Sequence, residues 1–221
     1  MTRPHRVLLV DDDPLARSGL RLLLRSAGDI EVVAEAADGD EVVPAVQAHH
    51  PDVILMDLGM ARMNGIEATA QVRALPNPPH VVALTTWDVS DAVMRCIDAG
   101  AAGYLLKSDG PDVIVKAVRD VVAGDAVLSP RSTRQLLERF RNQPGDAERV
   151  RARELVATLS ERELEVARRV GRGLSNATVA GQLYVSEATV KTHLSAVQAK
   201  LGARNRVEVA VVAERAGLLA Q

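Results

Sequence analysis

Five short apolar runs divide the first 123 residues: Val7–Val10, Ile30–Ala34, Val53–Met56, Val81–Leu84 and Tyr104–Leu106. Each is short and predominantly apolar, the pattern of a strand covered on both faces. Between them lie longer amphipathic segments, Leu15–Ala27, Glu41–Ala48, Ile66–Ala74, Val89–Ala99 and Val113–Ala123. Five strands alternating with five helices predict an α/β unit: a parallel, doubly wound sheet with helices on both faces. Helix punctuation agrees. Asp13-Pro14 pairs an N-cap with proline at the first helical position, and Gly28, Gly100 and Gly124 stand where helices should stop.

The second half has no strand pattern. Arg131–Arg141 reads as a helix, Asn142–Asp146 as a break and linker, and Ala147–Ala157 as a charged helix. Four short helical patterns follow, at Glu161–Arg172, Asn176–Leu183, Glu187–Leu201 and Arg206–Ala216. Charge divides along the same line. Residues 1–123 carry 11 Lys and Arg against 18 Asp and Glu, and residues 124–221 carry 16 against 11, so net charges of −7 and +5 suggest two modules with different partners. With aromatics at only 2%, both cores must be built from Ala, Val, Leu and Ile. The single cysteine, Cys96, excludes an intrachain disulfide and a thiolate zinc cluster. No apolar run is long enough to span a membrane, and Val7–Val10 stops at three aspartates, too short for a signal peptide, so the expected location is the cytoplasm.

In parallel α/β sheets, ligands gather beyond the carboxyl ends of the strands. Asp11 and Asp12 end the first strand, Asp57 ends the third, Thr85 ends the fourth, and Lys107 follows the fifth. Three converging carboxylates repel one another and suit a hard divalent cation, and Mg²⁺ prefers such oxygen ligands. A lysine and a hydroxyl beside them suit a phosphoryl group. With Asn64-Gly65 and Gly103-Tyr104, these residues resemble the receiver domain of response regulators over residues 5–123. The resemblance implies a flavodoxin-like fold in which Asp57 is the nucleophile that becomes an aspartyl phosphate. It implies Mg²⁺ held by Asp12, Asp57 and the carbonyl of Gly59, with Asp11 binding through water. Lys107 would contact the phosphoryl oxygens, Thr85 would donate a hydrogen bond to them, and Tyr104 would reposition as the switch.

The loop after Asp57 stands apart from the family pattern. Where the family usually has Met-Pro after the phosphorylated aspartate, this chain reads Gly59-Met60-Ala61-Arg62-Met63, without the proline that would fix φ. Trp87, two residues beyond Thr85, flanks the family's route for hydrolytic water and is expected to shield the phosphate.

In the second half, Ser160 and Glu163 have capping-box spacing, and Ser175 and Ser186 stand at two further helix starts. Short Ser-capped helices joined by tight turns fit a helix-turn-helix. Val190, Leu194, Val197 and Leu201 make one buried stripe; Lys191, Thr192 and Ser195 share the opposite face, which could enter a major groove without bulk. From Leu159 to Leu219 the chain resembles the LuxR-type helix-turn-helix domain. The resemblance implies that Lys191, Thr192 and Ser195 face base edges, with Asn176, Ser186, His193 and Lys200 as candidates for phosphate contacts. Arg206 reads as structural, tying a helix start to the bundle.

Together the two matches resemble the NarL/FixJ family of response regulators. The expected organisation is a receiver over 1–123, a helical linker over 124–158 and a DNA-binding domain over 159–221. The resemblance implies phosphorylation by a sensor histidine kinase, homodimerisation when active and DNA as partner. It implies no enzyme activity beyond the receiver's own phosphoryl transfer and dephosphorylation. Two other classes compete. Asp11-x-Asp13 resembles the start of a haloacid-dehalogenase-type phosphatase, but the Thr or Val expected two residues beyond Asp13 is missing, as is a cap domain. The other is a phosphorylation-independent DNA-binding regulator that uses its receiver only to dimerise.

Overall fold

A computed structural model describes residues 3–86, 90–128 and 146–219. The expected helix at Arg131–Arg141, the break at 142–145 and Trp87 lie outside these residues. The chain divides into two compact units, one of residues 3–122 and 127–128, the other of residues 123–126 and 146–219.

The first unit has the expected doubly wound fold. Strands β1 (His5–Val10), β2 (Ile30–Ala36), β3 (Val53–Met56), β4 (His80–Thr85) and β5 (Gly103–Leu106) alternate with helices α1 (Pro14–Ser26), α2 (Val42–His49), α3 (Gly65–Arg73), α4 (Ser90–Asp98) and α5 (Pro111–Ala123). The strands form one all-parallel sheet in the order β2-β1-β3-β4-β5. The side-chain period of two explains why the inner runs are apolar in succession. Val7, Leu9, Val53, Leu55 and Leu84 face one layer with Leu24 of α1 and Ile114, Val118 and Val121 of α5. Their neighbours Leu8, Val10, Ile54 and Met56 face the other layer with Val42 and Val46 of α2 and Ala68 and Val72 of α3. Cys96 of α4 completes that side with Ala83, Val93 and Tyr104.

The expected caps are in place. The Asp13 carboxylate accepts from the Leu15 N–H at 2.8 Å ahead of Pro14, and Gly28, Gly100 and Gly124 all take positive φ beyond their helices. One element was not expected. A two-residue strand, β6 (Val127–Leu128), pairs parallel with β5 at the sheet edge, so the sheet continues past the boundary placed at residue 123.

The second unit is helical: α6 (Asp146–Ala157), α7 (Glu161–Gly171), α8 (Asn176–Leu183), α9 (Glu187–Leu201) and α10 (Arg206–Arg215). Its core joins Val166 and Val170 of α7, Val179 and Leu183 of α8, Val209 of α10 and the predicted α9 stripe Val190, Leu194, Val197 and Leu201. Helix α6 fell within the expected linker, yet it belongs to this unit. Ala152 is buried, Leu155 and Val156 pack on the core, and Glu148 pairs with Arg215 of α10 at 3.2 Å.

Candidate functional site

The sheet order reverses between β1 and β3, and the acidic residues gather beyond the carboxyl ends of those two strands. Asp11 and Asp57 are buried, Asp12 is exposed, and one carboxylate oxygen from each lies within 4.8 Å of the others. Lys107, beyond β5, reaches between the buried pair: its Nζ is 2.6 Å from Asp11 Oδ2 and 2.9 Å from Asp57 Oδ2. Burial pulls the Lys107 pKa down, but hydrogen bonds to Asp11 and Asp57 outweigh it and hold the ammonium above its usual range. The Leu58 N–H donates to Asp57 Oδ1 at 2.7 Å. A cavity of about 390 Å³ opens here, lined by Asp12, Asp57, Gly59, Ile66, Thr85 and Lys107 among others. Three carboxylates against one ammonium leave uncompensated negative charge beside an open cavity, the oxygen-rich setting that suits Mg²⁺. Asp11, Asp12 and Asp57, with Gly59 in the same cavity wall, are the residues that would hold it. The Asp13 carboxylate is used as a helix cap.

Local structure fixes this geometry. Asn64 caps α3 by accepting from the Ile66 and Glu67 N–H groups at 3.1 and 3.0 Å. The first residue of α3 must be glycine, because a Cβ on Gly65 would stand 2.0 Å from the Asp57 carbonyl oxygen. Tyr104 is wholly buried, packed with Ala83, Val93 and Cys96.

Sequence reasoning missed a second set of contacts in the β3–α3 loop. Asp38, only 3% exposed, accepts at Oδ2 from the Arg62 N–H at 2.9 Å. Its Oδ1 accepts from the N–H groups of Met63 and Gly39, both at 2.8 Å. Burial opposes ionisation, but these three donors hold the Asp38 carboxyl below its usual range. The Arg62 guanidinium donates to both oxygens of Asp40 at 2.8 Å and to Glu41 at 2.6 Å. The one hint in sequence was the missing proline at Ala61.

In the helical unit the caps stand as expected. Ser160 and Glu163 form a reciprocal capping box, and the Ser175 and Ser186 hydroxyls accept from Thr178 and Thr189 N–H groups at 3.2 and 3.1 Å. Lys191, Thr192 and Ser195 are exposed on α9 and Ser186 is exposed at its start, while His193 is half-buried. The Thr192 and Ser195 hydroxyls donate back to the carbonyls of Ala188 and Lys191, both at 3.0 Å, which leaves their oxygens as outward acceptors.

Two of the residues expected at phosphates are engaged with other protein groups. Asn176 is fully buried, with its amide donating to the Ala123 carbonyl at 2.7 Å and its Oδ1 accepting from Arg206 at 2.7 Å. Lys200 is paired with Glu163 at 2.6 Å, so its charge is already matched. Arg206 has the structural role read from its position: its guanidinium also donates to the Leu174 carbonyl and to Asp125.

Comparisons with known proteins find a family for each half of the chain. Residues 7–119 match the response regulator receiver domain, and residues 157–213 match the luxR family of bacterial regulatory proteins. The transcriptional regulatory protein YxjL of Bacillus subtilis (strain 168) is 39% identical over 216 residues, 97% of each chain. The nitrate/nitrite response regulator NarP of Escherichia coli (strain K12) is 39% identical over 210 residues, 95% of this chain and 94% of its own. The crystal structure of ChrA, the response regulator of a heme-sensing two-component system, is 35% identical and superposes with a TM-score of 0.54, covering 98% of this chain and all of ChrA. Two domain matches in this order, and relatives alike over nearly their whole length, place this chain in the NarL/FixJ family of response regulators.

Proposed function

We propose that this regulator is switched by phosphorylation of Asp57, with a sensor histidine kinase as donor, and that the phosphorylated chain dimerises on DNA in the cytoplasm to control transcription. The observation that carries this reading is Lys107 Nζ lying between Asp11 and Asp57 at 2.6 and 2.9 Å. A carboxylate oxygen of Asp57 attacks phosphorus, forming a P–O bond while the donor's P–N bond breaks; the departing imidazole takes up a proton. Lys107 and Thr85 both line the cavity, which supports the reading that they meet the charge on the phosphoryl oxygens. Mg²⁺, when bound, would neutralise charge on the transferring group. Asp11 and Asp12 supply the remaining carboxylates for it. Tyr104 of β5, buried against Ala83 of β4 and Val93 and Cys96 of α4, supports the switch role because a shift at the end of β4 would have to repack that closed cluster. On the DNA side, exposed Lys191, Thr192 and Ser195 support base contacts from α9, with Ser186 and His193 reaching phosphates.

The test is the intact mass of the full chain after incubation with Mg²⁺ and acetyl phosphate, beside Asp57→Asn. The expected result is one phosphoryl group on the wild type and none on the variant. A folded wild type that gains nothing would favour the phosphorylation-independent reading.

A further inference from the structure

The loop between β3 and α3 has lost the proline that its family uses, yet Gly59 on that loop shares a cavity wall with Asp12 and Asp57. Without a fixed φ, a loop carbonyl samples many orientations, and a cation that needs that carbonyl bears the ordering entropy. The contacts of Arg62 and Asp38 address this deficit. They reach across to the neighbouring loop that follows β2, so the two loops hold each other.

The approach is close enough that a Cβ on Gly39 would meet the Met63 carbonyl oxygen at 2.4 Å, and only glycine permits it. From the inside, the buried Asp38 carboxylate ties down consecutive N–H groups of Arg62 and Met63. From the outside, the Arg62 guanidinium forks onto Asp40 and adds Glu41. An isolated exposed ion pair contributes little, but a forked guanidinium on two carboxylates has the directional geometry that restricts a loop.

We propose that Arg62 is a positioning residue for the cation site: its clamp on Asp40 and Glu41, working with Asp38, replaces the missing proline and holds the loop that presents the Gly59 carbonyl. Arg62 touches neither cation nor phosphoryl group in this role. The inference rests on the Mg²⁺-dependent reading of the Asp11, Asp12 and Asp57 cluster. It predicts that either device, clamp or proline, suffices alone.

The experiment uses Mn²⁺, an oxygen-preferring stand-in for Mg²⁺, and follows the loss of the free-ion electron paramagnetic resonance signal as full-length protein is titrated in. The chains compared are wild type, Arg62→Ala, Arg62→Lys, Ala61→Pro/Arg62→Ala and Asp57→Asn, with the thermal midpoint of each recorded. Arg62→Ala should weaken Mn²⁺ binding by about three- to fivefold, the scale of one ion-pair network, with the midpoint little changed. Arg62→Lys, which cannot fork, should recover only part of that loss. Ala61→Pro in the Arg62→Ala background should restore the wild-type affinity. Unchanged affinity in Arg62→Ala, or a loss that the proline does not recover, would overturn the clamp. If wild type and Asp57→Asn bind Mn²⁺ equally weakly, the reading of the carboxylate cluster fails instead.

Discussion

At the scale of single residues, the candidate site trades stability for chemistry. Asp11 and Asp57 are buried within reach of one ammonium, and Asp12 adds a third negative charge at the rim. Like charges held together oppose folding until a cation arrives. Replacing Asp57 by Asn removes one of them and leaves Lys107 its 2.6 Å partner, Asp11. Without divalent cation, Asp57→Asn should therefore be more stable than wild type by about 1 kcal/mol. Saturating Mg²⁺ should narrow or reverse the gap, because a ligand that binds only the folded wild type adds stability by mass action. Urea unfolding with EDTA and with Mg²⁺ measures both differences. A variant less stable than wild type in EDTA would show that Lys107 already neutralises the cluster. Gly65 is the complementary case, a residue with no chemistry of its own whose missing Cβ makes room for the Asp57 carbonyl.

At the scale of elements, the inner strands were legible because their central residues are buried on both faces and so apolar in succession, whereas edge strand β2 carries the exposed Glu31 and Glu35. β6 was not, because two residues carry no period and its pairing depends on β5, more than twenty positions away. The protein partners of two expected DNA contacts were hidden for a related reason. Helical periodicity places Lys200 on the outer part of α9, but its ion pair comes from Glu163, 37 positions earlier. Glu163 thereby serves two elements: it accepts from the Ser160 N–H at 2.7 Å as the α7 capping box and from Lys200 Nζ at the end of α9. The Lys200 hydrogen bond is the larger cause, and with the Ser160 N–H it holds the Glu163 carboxyl at about 2 against an ordinary 4.5. A depressed acid pKa contributes stability that is fully present above the unfolded value and is lost as pH falls through the folded one. The pair should therefore support the helical unit above pH 4.5 and fade between there and about 2. Glu163→Gln keeps an acceptor for Ser160 but loses the charge. Its urea midpoint, followed by far-UV circular dichroism, should be lower than wild type at pH 7 and should fall less on moving to pH 3. Parallel declines in the two chains would remove the pair from this role.

At the scale of the whole molecule, an acidic half and a basic half share one chain whose net charge is only −2. Weak overall charge gives little non-specific attraction to DNA, since affinity for phosphates grows with the number of cations that displace counterions. With Asn176 buried and Lys200 paired, the exposed α9 face has a single cation, Lys191, beside neutral Thr192 and Ser195. One such helix is a poor anchor alone, so productive binding should require two copies on two half-sites. Phosphate would then act through dimerisation and leave each helix's own contacts unchanged. On DNA with inverted half-sites, selected with phosphorylated protein, acetyl phosphate and Mg²⁺ should tighten binding by about 5- to 150-fold, the usual range of coupling between sites. On a single half-site the gain should be small, and Asp57→Asn should lose it on both DNAs. Lys191→Ala should weaken binding to the paired site by about tenfold or more, because the loss of a base or phosphate contact counts in each copy. Fluorescence anisotropy across a salt series measures all of these. An equal gain on one half-site and on two would mean that phosphate frees α9 within a single chain and that dimerisation is not the coupled step.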